Sequence, residues 1–394
     1  MSTSAPKGFM RLSFPFEVLN RDLKLIFASN LVGSFGDGLY AYLLPYYLKE
    51  TLKASPVEIG ILYALTSLTA TSTLLIAGML ADKYDRKKIM IAGWIAWVPA
   101  PLIFALAENW VQMLPGMLLW GFWLGGPTST AYIVTAADKS RLTLTFTVIS
   151  SSWSLGYIFS PALGGYMADK VGMQTVFHIA FILYALAGTI LAFIHSQRAT
   201  ALKEEMSGPS SSIELLKTRK LLFISAFFAL VMFTVMMFRP FVPQFLADMY
   251  HYGDFEIGVL GSIAFFGSAV LGILIGRFGD KMGKEYALAA SMVSCSLSLA
   301  IMLLTGNLYI LAAAFFLAGA SYITWSLMSA IIGPLAPESI RARWISIPQT
   351  ISMFASILAP YIGGLLYAFS PSIPFVIAIL ATAFLALLTS LKKF

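Results

Sequence analysis

Long apolar segments, separated by short polar loops, follow one another through the whole chain. Each reaches or exceeds the roughly 20 residues that a helix needs to cross a bilayer. We predict twelve spans, at residues 23–48, 56–80, 87–107, 109–136, 142–167, 173–195, 220–247, 255–278, 285–305, 307–333, 342–368 and 372–391. Because 58% of the residues are hydrophobic and only 11% are charged, against about 25% charged in a soluble domain, the solvent of this chain is lipid.

A sequence motif near residue 80 recurs in the second half of the chain. Gly78 begins the sequence GMLADKYDRK, and 198 residues later Gly276 begins GRFGDKMGK. The tripeptide EIG at 58–60 returns after the same interval at 256–258, and so does the proline of Pro45, at Pro243. A repeat of this length in an apolar chain indicates a membrane transporter built from two related halves.

The longest polar stretch, residues 196–220, lies between the sixth and seventh spans and contains the flexible sequence GPSSS. We therefore predict an N-terminal six-helix bundle over 1–195, a cytoplasmic linker over 196–219 and a C-terminal six-helix bundle over 220–394. The polar linker is the natural boundary, because few contacts need to cross it.

Basic residues are concentrated on one side of the predicted spans. Of the 26 Lys and Arg residues, only Lys49, Lys53 and Lys170 fall in loops on the other side, and Arg239 alone lies within a span. Because loops rich in Lys and Arg stay in the cytoplasm, we predict a multi-pass protein of a prokaryotic cytoplasmic (inner) membrane with both termini in the cytoplasm. An even number of spans requires the same arrangement of the termini.

The repeated motif, the basic central loop and the six-plus-six layout resemble the major facilitator superfamily. That family carries the signature G-x-L-x-D-R-x-G-R-K between its second and third spans, and this chain matches it at Gly78, Leu80, Asp82, Arg86 and Lys87. It departs at Lys83, which remains basic, and at Asp85, where the family prefers Gly. The resemblance implies an all-α membrane protein with twelve transmembrane helices in two pseudo-symmetric six-helix bundles.

A second motif, in the fifth span, is similar to that of the drug:proton antiporter branch, G-x-x-x-G-P-x-x-G-G. Here it reads GYIFSPALGG, with an echo in the eleventh span. The residues predicted to pack helices are Gly156, Pro161, Gly164, Gly165, Pro360, Gly363 and Gly364. Small residues at such spacing let helices approach closely, so the motif indicates either the antiporter seal between spans five and eight or ordinary helix packing. The fourth span lacks the Arg that many proton-coupled exporters have there.

Asp37 lies near the middle of the first span, where an ionised carboxylate is costly unless it faces water, a partner or a proton. Asn30, Ser34, Asp37 and Ala41 share one helix face, which predicts a polar stripe toward a cavity. Asp37 is our proton-coupling candidate, because a buried carboxyl group takes up a proton more readily than one in water. The alternative is a carboxylate bonded to Ser or Asn of a neighbouring helix.

Arg239, the basic residue inside a span, is followed by Pro240, Pro243 and Gln244. It could bind an anionic substrate, pair with Asp37 across the central cavity, or extend toward the membrane interface. Aromatic side chains can stack on flat molecules and attract cations. The predicted substrate-cavity residues are Asn30, Ser34, Tyr40, Trp120, Trp123, Trp153, Tyr157, Arg239, Gln244, Phe265, Tyr322, Trp325 and Gln349.

Charged residues at the cytoplasmic helix ends form a predicted gate. In the family, Asp residues at the positions of Asp82 and Asp280 cap a helix of the opposite bundle, and an anion is stabilised at a helix N-terminus. The predicted gate residues are Gly78, Asp82, Arg86, Lys87, Asp138, Arg141, Gly276, Asp280, Glu338 and Arg341. The alternative is that these charges only set the topology.

We predict a secondary transporter that works by alternating access, with proton-coupled export of a drug or metabolite as the first hypothesis. A uniporter, a solute importer, or an exporter of anions or metal ions remain alternatives. The chain lacks H-E-x-x-H and a Ser/His dyad in its spans, so we predict no enzyme activity. We expect a small-molecule substrate, protons or another coupling ion, a surrounding lipid bilayer, no nucleic acid, no cofactor, no metal site and a monomer.

Overall fold

The computed structural model describes residues 15–198, 219–332 and 341–391, and this part of the chain is helical, without strands. The α-helices are α1 Arg21–Gly38, α2 Leu44–Glu50, α3 Pro56–Lys83, α4 Arg86–Trp97, α5 Pro99–Leu106, α6 Leu114–Trp120, α7 Gly125–Ala136, α8 Leu142–Val171, α9 Met173–Leu191, α10 Arg219–Phe238, α11 Val242–Tyr250, α12 Asp254–Met282, α13 Lys284–Leu304, α14 Leu308–Ala318, α15 Thr324–Ile332, α16 Arg341–Phe369 and α17 Ile373–Leu391. Short 3-10 turns lie at Pro15–Val18, Trp110–Met113, Lys139–Arg141, Arg239–Phe241 and Gly319–Ile323.

These helices follow the order of the predicted spans. Spans 2, 5, 6, 8, 9, 11 and 12 are single helices, α3, α8, α9, α12, α13, α16 and α17. Spans 1, 3, 4, 7 and 10 each consist of two shorter helices, α1 with α2, α4 with α5, α6 with α7, α10 with α11, and α14 with α15. In the described part of the chain, nine helical segments are long and apolar enough to cross a membrane on their own. Spans 1, 4 and 5 complete the set through broken helices or a less apolar sequence.

The two ends of the helices differ in charge. We call the end with residues 84–85, 137–141 and 283 the basic end. The other end, with residues 51–55, 172 and 251–253, is the opposite end. Successive spans run alternately between these two ends.

The repeated tripeptide EIG explains how spans 2 and 8 begin. The Glu58 carboxylate accepts a hydrogen bond from Ser55 N at 2.7 Å, and the Ser55 hydroxyl accepts one from Glu58 N at 3.3 Å. In the second half, the Glu256 carboxylate accepts a hydrogen bond from Gly253 N at 3.2 Å. Each Glu therefore satisfies a backbone N–H that the first turn of a helix leaves without a partner.

The glycines of the same tripeptides lie where the two halves touch. A Cβ at Gly60 of span 2 would come within 2.6 Å of the Pro360 carbonyl oxygen of span 11, and one at Gly258 of span 8 would overlap the Pro161 carbonyl oxygen of span 5. Spans 2 and 11, and spans 5 and 8, form the main contacts between the halves. Both seams close at the opposite end, because Gly60 and Gly258 lie in the first turns of their helices.

The breaks in spans 4 and 10 also repeat. Gly121 ends α6, and a Cβ there would lie 2.5 Å from the Thr66 carbonyl oxygen of span 2. Gly319, 198 residues later, ends α14, and its Cβ would lie 2.5 Å from the Ala264 carbonyl oxygen of span 8. Each half thus uses a glycine to bring a broken helix against the long helix of its own bundle.

Candidate functional site

Asp37 is enclosed by hydrogen-bond donors from three other spans. It lies one residue before the end of α1, where span 1 breaks, and its side chain is buried. Trp120 Nε1 donates to Asp37 Oδ1 at 2.8 Å, Tyr184 OH donates to the same oxygen, and Tyr157 OH donates to Oδ2. Within the described residues, no basic side chain forms an ion pair with Asp37.

A second layer of aromatic residues surrounds this cage. Tyr40 OH lies 2.9 Å from Tyr184 OH, and both side chains are fully buried. The Tyr40 ring contacts Phe104 and Phe177 edge-on, at centroid distances of 5.8 and 5.5 Å. Tyr40, predicted to line the substrate cavity, therefore supports the cage from behind.

The hydrogen bonds around Asp37 can accommodate both the ionised and the protonated form of its carboxyl group. Phenol hydroxyls donate to an ionised carboxylate, and they can equally accept from a protonated carboxyl group, whereas the Trp120 indole only donates. Asp37 can therefore gain or lose a proton without leaving Tyr157 and Tyr184 without hydrogen bonds. This is the chemistry that a proton-coupling site requires.

A cavity of about 480 Å³ lies beside the cage and is lined with tryptophan rings. Its aromatic and polar wall comprises Asn30, Trp94, Trp97, Phe122, Trp123, Ser129, Thr130, Phe146, Ser150, Trp153 and Trp325. Most of these residues belong to the N-terminal half, and Trp325 comes from span 10 of the other half. The volume lies in the range of about 300–1,000 Å³ that is usual for small-molecule sites.

A smaller pocket, of about 30 Å³, lies in the C-terminal half around Arg239. The guanidinium carbon of Arg239 lies 4.2 Å from the centre of the Tyr322 ring, and Arg239 NH2 donates to Ser321 Oγ at 3.4 Å. Tyr42 of span 1 and Ser298 of span 9 also line this pocket. The predicted pairing of Arg239 with Asp37 is not formed in this structure, since the Asp37 oxygens bond to Trp120, Tyr157 and Tyr184.

A continuous row of rings connects the cavity to the small pocket. Trp153 stacks on Tyr157 at a centroid distance of 6.4 Å. Tyr157 contacts Phe265 of the other half at 4.7 Å, and Phe265 contacts Tyr322 at 4.8 Å. The donor to Asp37 and the ring beneath Arg239 are therefore separated by a single phenylalanine.

The structure places the remaining cavity candidates elsewhere. Ser34 is buried, and its hydroxyl donates to Leu31 O at 3.1 Å and to Ser152 O at 3.3 Å, so it joins spans 1 and 5. Gln244 is 1% exposed and lines neither the cavity nor the Arg239 pocket. Gln349 lies in span 11 and lines neither of them.

Several residues of the site escaped the sequence analysis. Tyr184 of span 6 donates directly to Asp37, and Trp94 and Trp97 of span 3 line the cavity. Tyr184 stands alone in an apolar helix, without a polar neighbour to mark its face. The two tryptophans lie three residues apart on one side of α4, and this spacing could have indicated that both face the same cavity.

At the basic end, Arg86 organises its own half of the protein. Its NH1 atom donates to Ala131 O at 3.1 Å, to Thr135 Oγ1 at 2.7 Å and to Gln197 Oε1 at 2.7 Å. Asp85, which stands where the family prefers Gly, caps α4 by accepting from Lys87 N at 3.0 Å. The loop therefore turns at an Asp with an ordinary backbone conformation.

Two more acidic side chains at this end can be located. Burial by itself raises the pKa of the Asp85 carboxyl group, but hydrogen bonds from Ser196, Gln197 and Lys87 bring the pKa below its usual value. Asp138 accepts hydrogen bonds from the Ser140 backbone N–H and hydroxyl, and these bonds lower its pKa. Asp138 thus caps its own turn in this structure.

The other gate candidates are exposed, have no close neighbour at Cβ, or lie where the structure describes no side chain. Arg141 and Asp280 are exposed, and a Cβ at Gly276 would meet nothing within 4 Å. Gly78 and Asp82 lie on α3, and Arg341 begins α16, but for these three residues the structure describes only the helix to which they belong. Glu338 lies outside the described residues altogether.

The motif of the fifth span lies at the seam between the halves. A Cβ at Gly165 would overlap the Asp254 carbonyl oxygen of span 8, and one at Gly364 would overlap the Pro56 carbonyl oxygen of span 2. Gly156 and Gly164 instead receive the backbone of span 1, next to Ser34 and Leu39, and Gly363 receives Met237 O of span 7. The motif therefore packs both within and between the halves.

The described helices enclose a cavity, and the carboxyl group of Asp37 is buried beside it. The sequence model of the Major Facilitator Superfamily matches residues 26–241 and 222–393. The chain therefore belongs to the major facilitator superfamily, as its motifs predicted.

Curated relatives include proteins named for multidrug resistance. The multi-drug resistance efflux pump PmrA homolog of Lactococcus lactis subsp. lactis (strain IL1403) is 27% identical over 261 residues, which are 64% of this chain and 64% of that protein. The multidrug resistance protein MdtG of Enterobacter lignolyticus (strain SCF1) is 26% identical over 318 residues, which are 77% of this chain and 75% of MdtG. The chain thus spans less than two thirds of the length of the Lactococcus relative.

Among solved structures, the nucleoside transporter NupG superposes with a TM-score of 0.79 at 16% identity, over 95% of this chain and 100% of NupG. At this level of identity the likeness concerns the fold alone. The predicted fold class, twelve transmembrane helices in two pseudo-symmetric six-helix bundles, is confirmed.

Proposed function

We propose that this protein is a proton-coupled exporter of flat aromatic molecules, including cations, in a prokaryotic cytoplasmic membrane. The observation that carries the proposal is the Asp37 cage: a buried carboxyl group held by hydroxyl and indole donors, without a basic partner among the described residues. An intramembrane carboxyl group without a counter-charge is neutralised most simply by a proton. The Lactococcus relative is an efflux pump, which supports export as the direction of transport.

The exchange of a proton at Asp37 would be coupled to the motion of the halves through Tyr157. Its hydroxyl donates to Asp37, and its ring contacts Phe265 of the C-terminal half at 4.7 Å. A change in the charge of Asp37 changes how firmly this hydroxyl is held, and so changes the packing between the halves. A proton that moves down a membrane potential supplies about 2.3 kcal/mol per 100 mV, which suffices for a gradient of tens-fold.

The tryptophan-lined cavity is the proposed substrate site. Trp97 and Trp123 have ring centroids 5.4 Å apart, and Trp123 and Trp153 lie 6.3 Å apart. Tryptophan faces attract cations and stack on flat rings. Asn30, Ser129, Thr130 and Ser150 add a few polar groups, so this wall suits molecules that are mostly apolar.

The basic end is proposed to face the cytoplasm, with both termini and the linker on that side. Residues of α7 line the cavity, and α7 runs from the level of the cage to the basic end. At the opposite end, both seams between the halves are closed. Substrate would therefore enter from the cytoplasm in this conformation. Asp82 and Asp280 are the residues we propose to latch the basic end when the protein opens outward.

The test is transport by purified protein in proteoliposomes with an imposed pH gradient and ethidium as the probe. In the parent protein we expect the pH gradient to accelerate ethidium transport at least about tenfold. Asp37→Asn should abolish this acceleration, while the protein still folds and binds ethidium. Glu108→Gln, which removes an exposed carboxylate in a loop, is the matched control and should behave like the parent protein.

Two results would contradict the proposal. Unchanged coupling in Asp37→Asn would remove Asp37 from the mechanism. Ethidium transport by the parent protein without any proton movement would favour the uniporter or importer alternative. Measuring internal pH and dye in the same vesicles separates these outcomes.

A further inference from the structure

The surroundings of Arg239 leave most of its hydrogen-bonding capacity unused. The guanidinium carbon lies over the Tyr322 ring, 4.2 Å from its centre, and a guanidinium group carries five N–H donors. Among the described residues, Arg239 donates a single hydrogen bond, the long one to Ser321 Oγ at 3.4 Å. No acidic side chain in the described part of the chain forms an ion pair with Arg239.

The position of Arg239 makes this incomplete set of partners significant. The residue lies in the 3-10 turn Arg239–Phe241, where span 7 breaks inside the membrane. A cation at such depth is rare, and it usually faces a partner or a pathway for substrate or ions. The alternative of an Arg that extends to the interface does not fit, because its guanidinium group is held over Tyr322 next to Ser298 and Cys295.

The pocket around Arg239 has room for a small group only. Its volume of about 30 Å³ is a small fraction of the about 480 Å³ of the tryptophan-lined cavity. The hydroxyl-bearing residues Tyr42, Ser298, Ser321 and Tyr322 line it together with Arg239. A carboxylate matches both the size of the pocket and the paired donors of a guanidinium group.

The neighbouring aromatic residues indicate what the carboxylate is attached to. Trp325, one turn beyond Tyr322 on span 10, lines the large cavity, whereas Tyr322 lines the small pocket. Phe265 and Tyr157 continue the row of rings toward the tryptophans. We propose that the Arg239 pocket is a second binding subsite, which takes the carboxylate of a substrate whose flat aromatic body lies against these rings.

This proposal extends the proposed function to a second class of substrate, namely aromatic molecules with an acidic group. It rests on the proposed function only in placing the aromatic part of the substrate in the tryptophan-lined cavity. Its test measures binding and not transport. A failure of proton coupling at Asp37 and a failure of anion binding at Arg239 are therefore separate results.

The experiment compares 2-naphthoate with its neutral amide, 2-naphthamide, by thermal stabilisation of the purified protein, since a bound ligand raises apparent stability by mass action. We expect the parent protein to bind 2-naphthoate at least about tenfold more tightly than 2-naphthamide, in line with a charge-assisted hydrogen bond. Arg239→Gln should lose this preference, and Arg239→Lys should keep part of it. Binding of 2-naphthamide, unchanged in all three proteins, shows that the site is still folded.

Three outcomes would overturn the proposal. The first is equal affinity of the parent protein for both compounds. The second is a preference for 2-naphthoate that persists in Arg239→Gln. The third is an equally strong stabilisation by chloride that depends on Arg239 and eliminates the effect of 2-naphthoate, because the pocket would then be a site for inorganic anions.

Discussion

Asp37 depends on side chains from three other spans to be tolerated inside the membrane. Tyr184 and Trp120 both donate to Oδ1, and Tyr157 donates to Oδ2. Each of these donors forms a stronger hydrogen bond with the ionised carboxylate than with the neutral carboxyl group. The number of donors thus sets the pH range in which the site can exchange protons.

Removing one donor should shift that range. We expect Tyr184→Phe to move the pH dependence of transport upward by about one pH unit, because a hydrogen bond to a charged group contributes about 1.5–3 kcal/mol and one pH unit corresponds to about 1.4 kcal/mol. The measurement is the initial rate of ethidium transport in proteoliposomes, recorded over a series of pH values.

Tyr166→Phe provides the control for this shift. Tyr166 is exposed at the surface of span 5, 51% accessible, and removal of its hydroxyl should leave the pH profile unchanged. A Tyr184→Phe profile with the same midpoint as the parent protein, at whatever maximal rate, would show that Tyr184 serves packing alone.

Part of this site could be predicted from the sequence. Asp37 stood out because a carboxylate in an apolar helix is costly, and Trp120 and Tyr157 were named among the candidate residues for the cavity. The polar stripe misled for Ser34, since its hydroxyl bonds to a backbone carbonyl of span 5. Tyr184 could not be found, because contacts between helices are set by their rotation and depth, which one helix alone does not encode.

At the scale of helices, the EIG repeat has two separate roles. Glu58 and Glu256 satisfy the first turns of spans 2 and 8, while Gly60 and Gly258 let those turns touch the facing helices. Both roles belong to the opposite end, where the halves are in contact. The repeat therefore specifies the closed seams as well as the starts of the helices.

A side chain at Gly258 should prevent its seam from closing. We expect Gly258→Val to favour the form that is open at the opposite end, because a Cβ would overlap the Pro161 carbonyl oxygen and such overpacking costs about 1–3 kcal/mol. Distances between spin labels on spans 5 and 8, near Asp169 and Asp254, would report the opening.

Ile273→Val on the same helix is the control, because the Ile273 side chain is exposed at the surface of α12. The label distances in this variant should match those in the parent protein. If Gly258→Val left the distances unchanged as well, the seam would not depend on close approach at that glycine.

The broken spans show a feature that hydropathy does not predict, namely where a helix is interrupted inside the membrane. A sum over an apolar segment cannot distinguish a straight helix from one that is interrupted and restarted. In spans 1 and 7 the new helix begins with a proline in its first turn, Pro45 in α2 and Pro243 in α11. These prolines were recognised as part of the repeat, but their structural role became visible only with the breaks at Asp37 and Arg239.

Considered as a whole, the molecule is closed at one end. At the opposite end, Lys49 of span 1 forms an ion pair with Asp248 of span 7, and Tyr367 of span 11 donates to Asp248 Oδ2 at 2.8 Å. At the basic end, Asp280 is exposed and forms no ion pair within the described residues. The order of the spans and the pairing of the halves followed from the 198-residue repeat, whereas the choice of closed end required the structure, because one sequence encodes both conformations.

The Lys49–Asp248 pair should bias the equilibrium between these conformations. We expect Asp248→Lys to increase the population that is open at the opposite end by about fivefold, because a partly buried pair of this kind contributes about 1 kcal/mol and two lysines would repel each other. The double variant Lys49→Asp with Asp248→Lys restores opposite charges and should return the population toward that of the parent protein. Spin-label distances across the opposite end measure both populations, and high salt should weaken the effect. If the double variant stayed as open as the single one, Asp248 would act through Tyr367 alone and the charge of Lys49 would be irrelevant to closure.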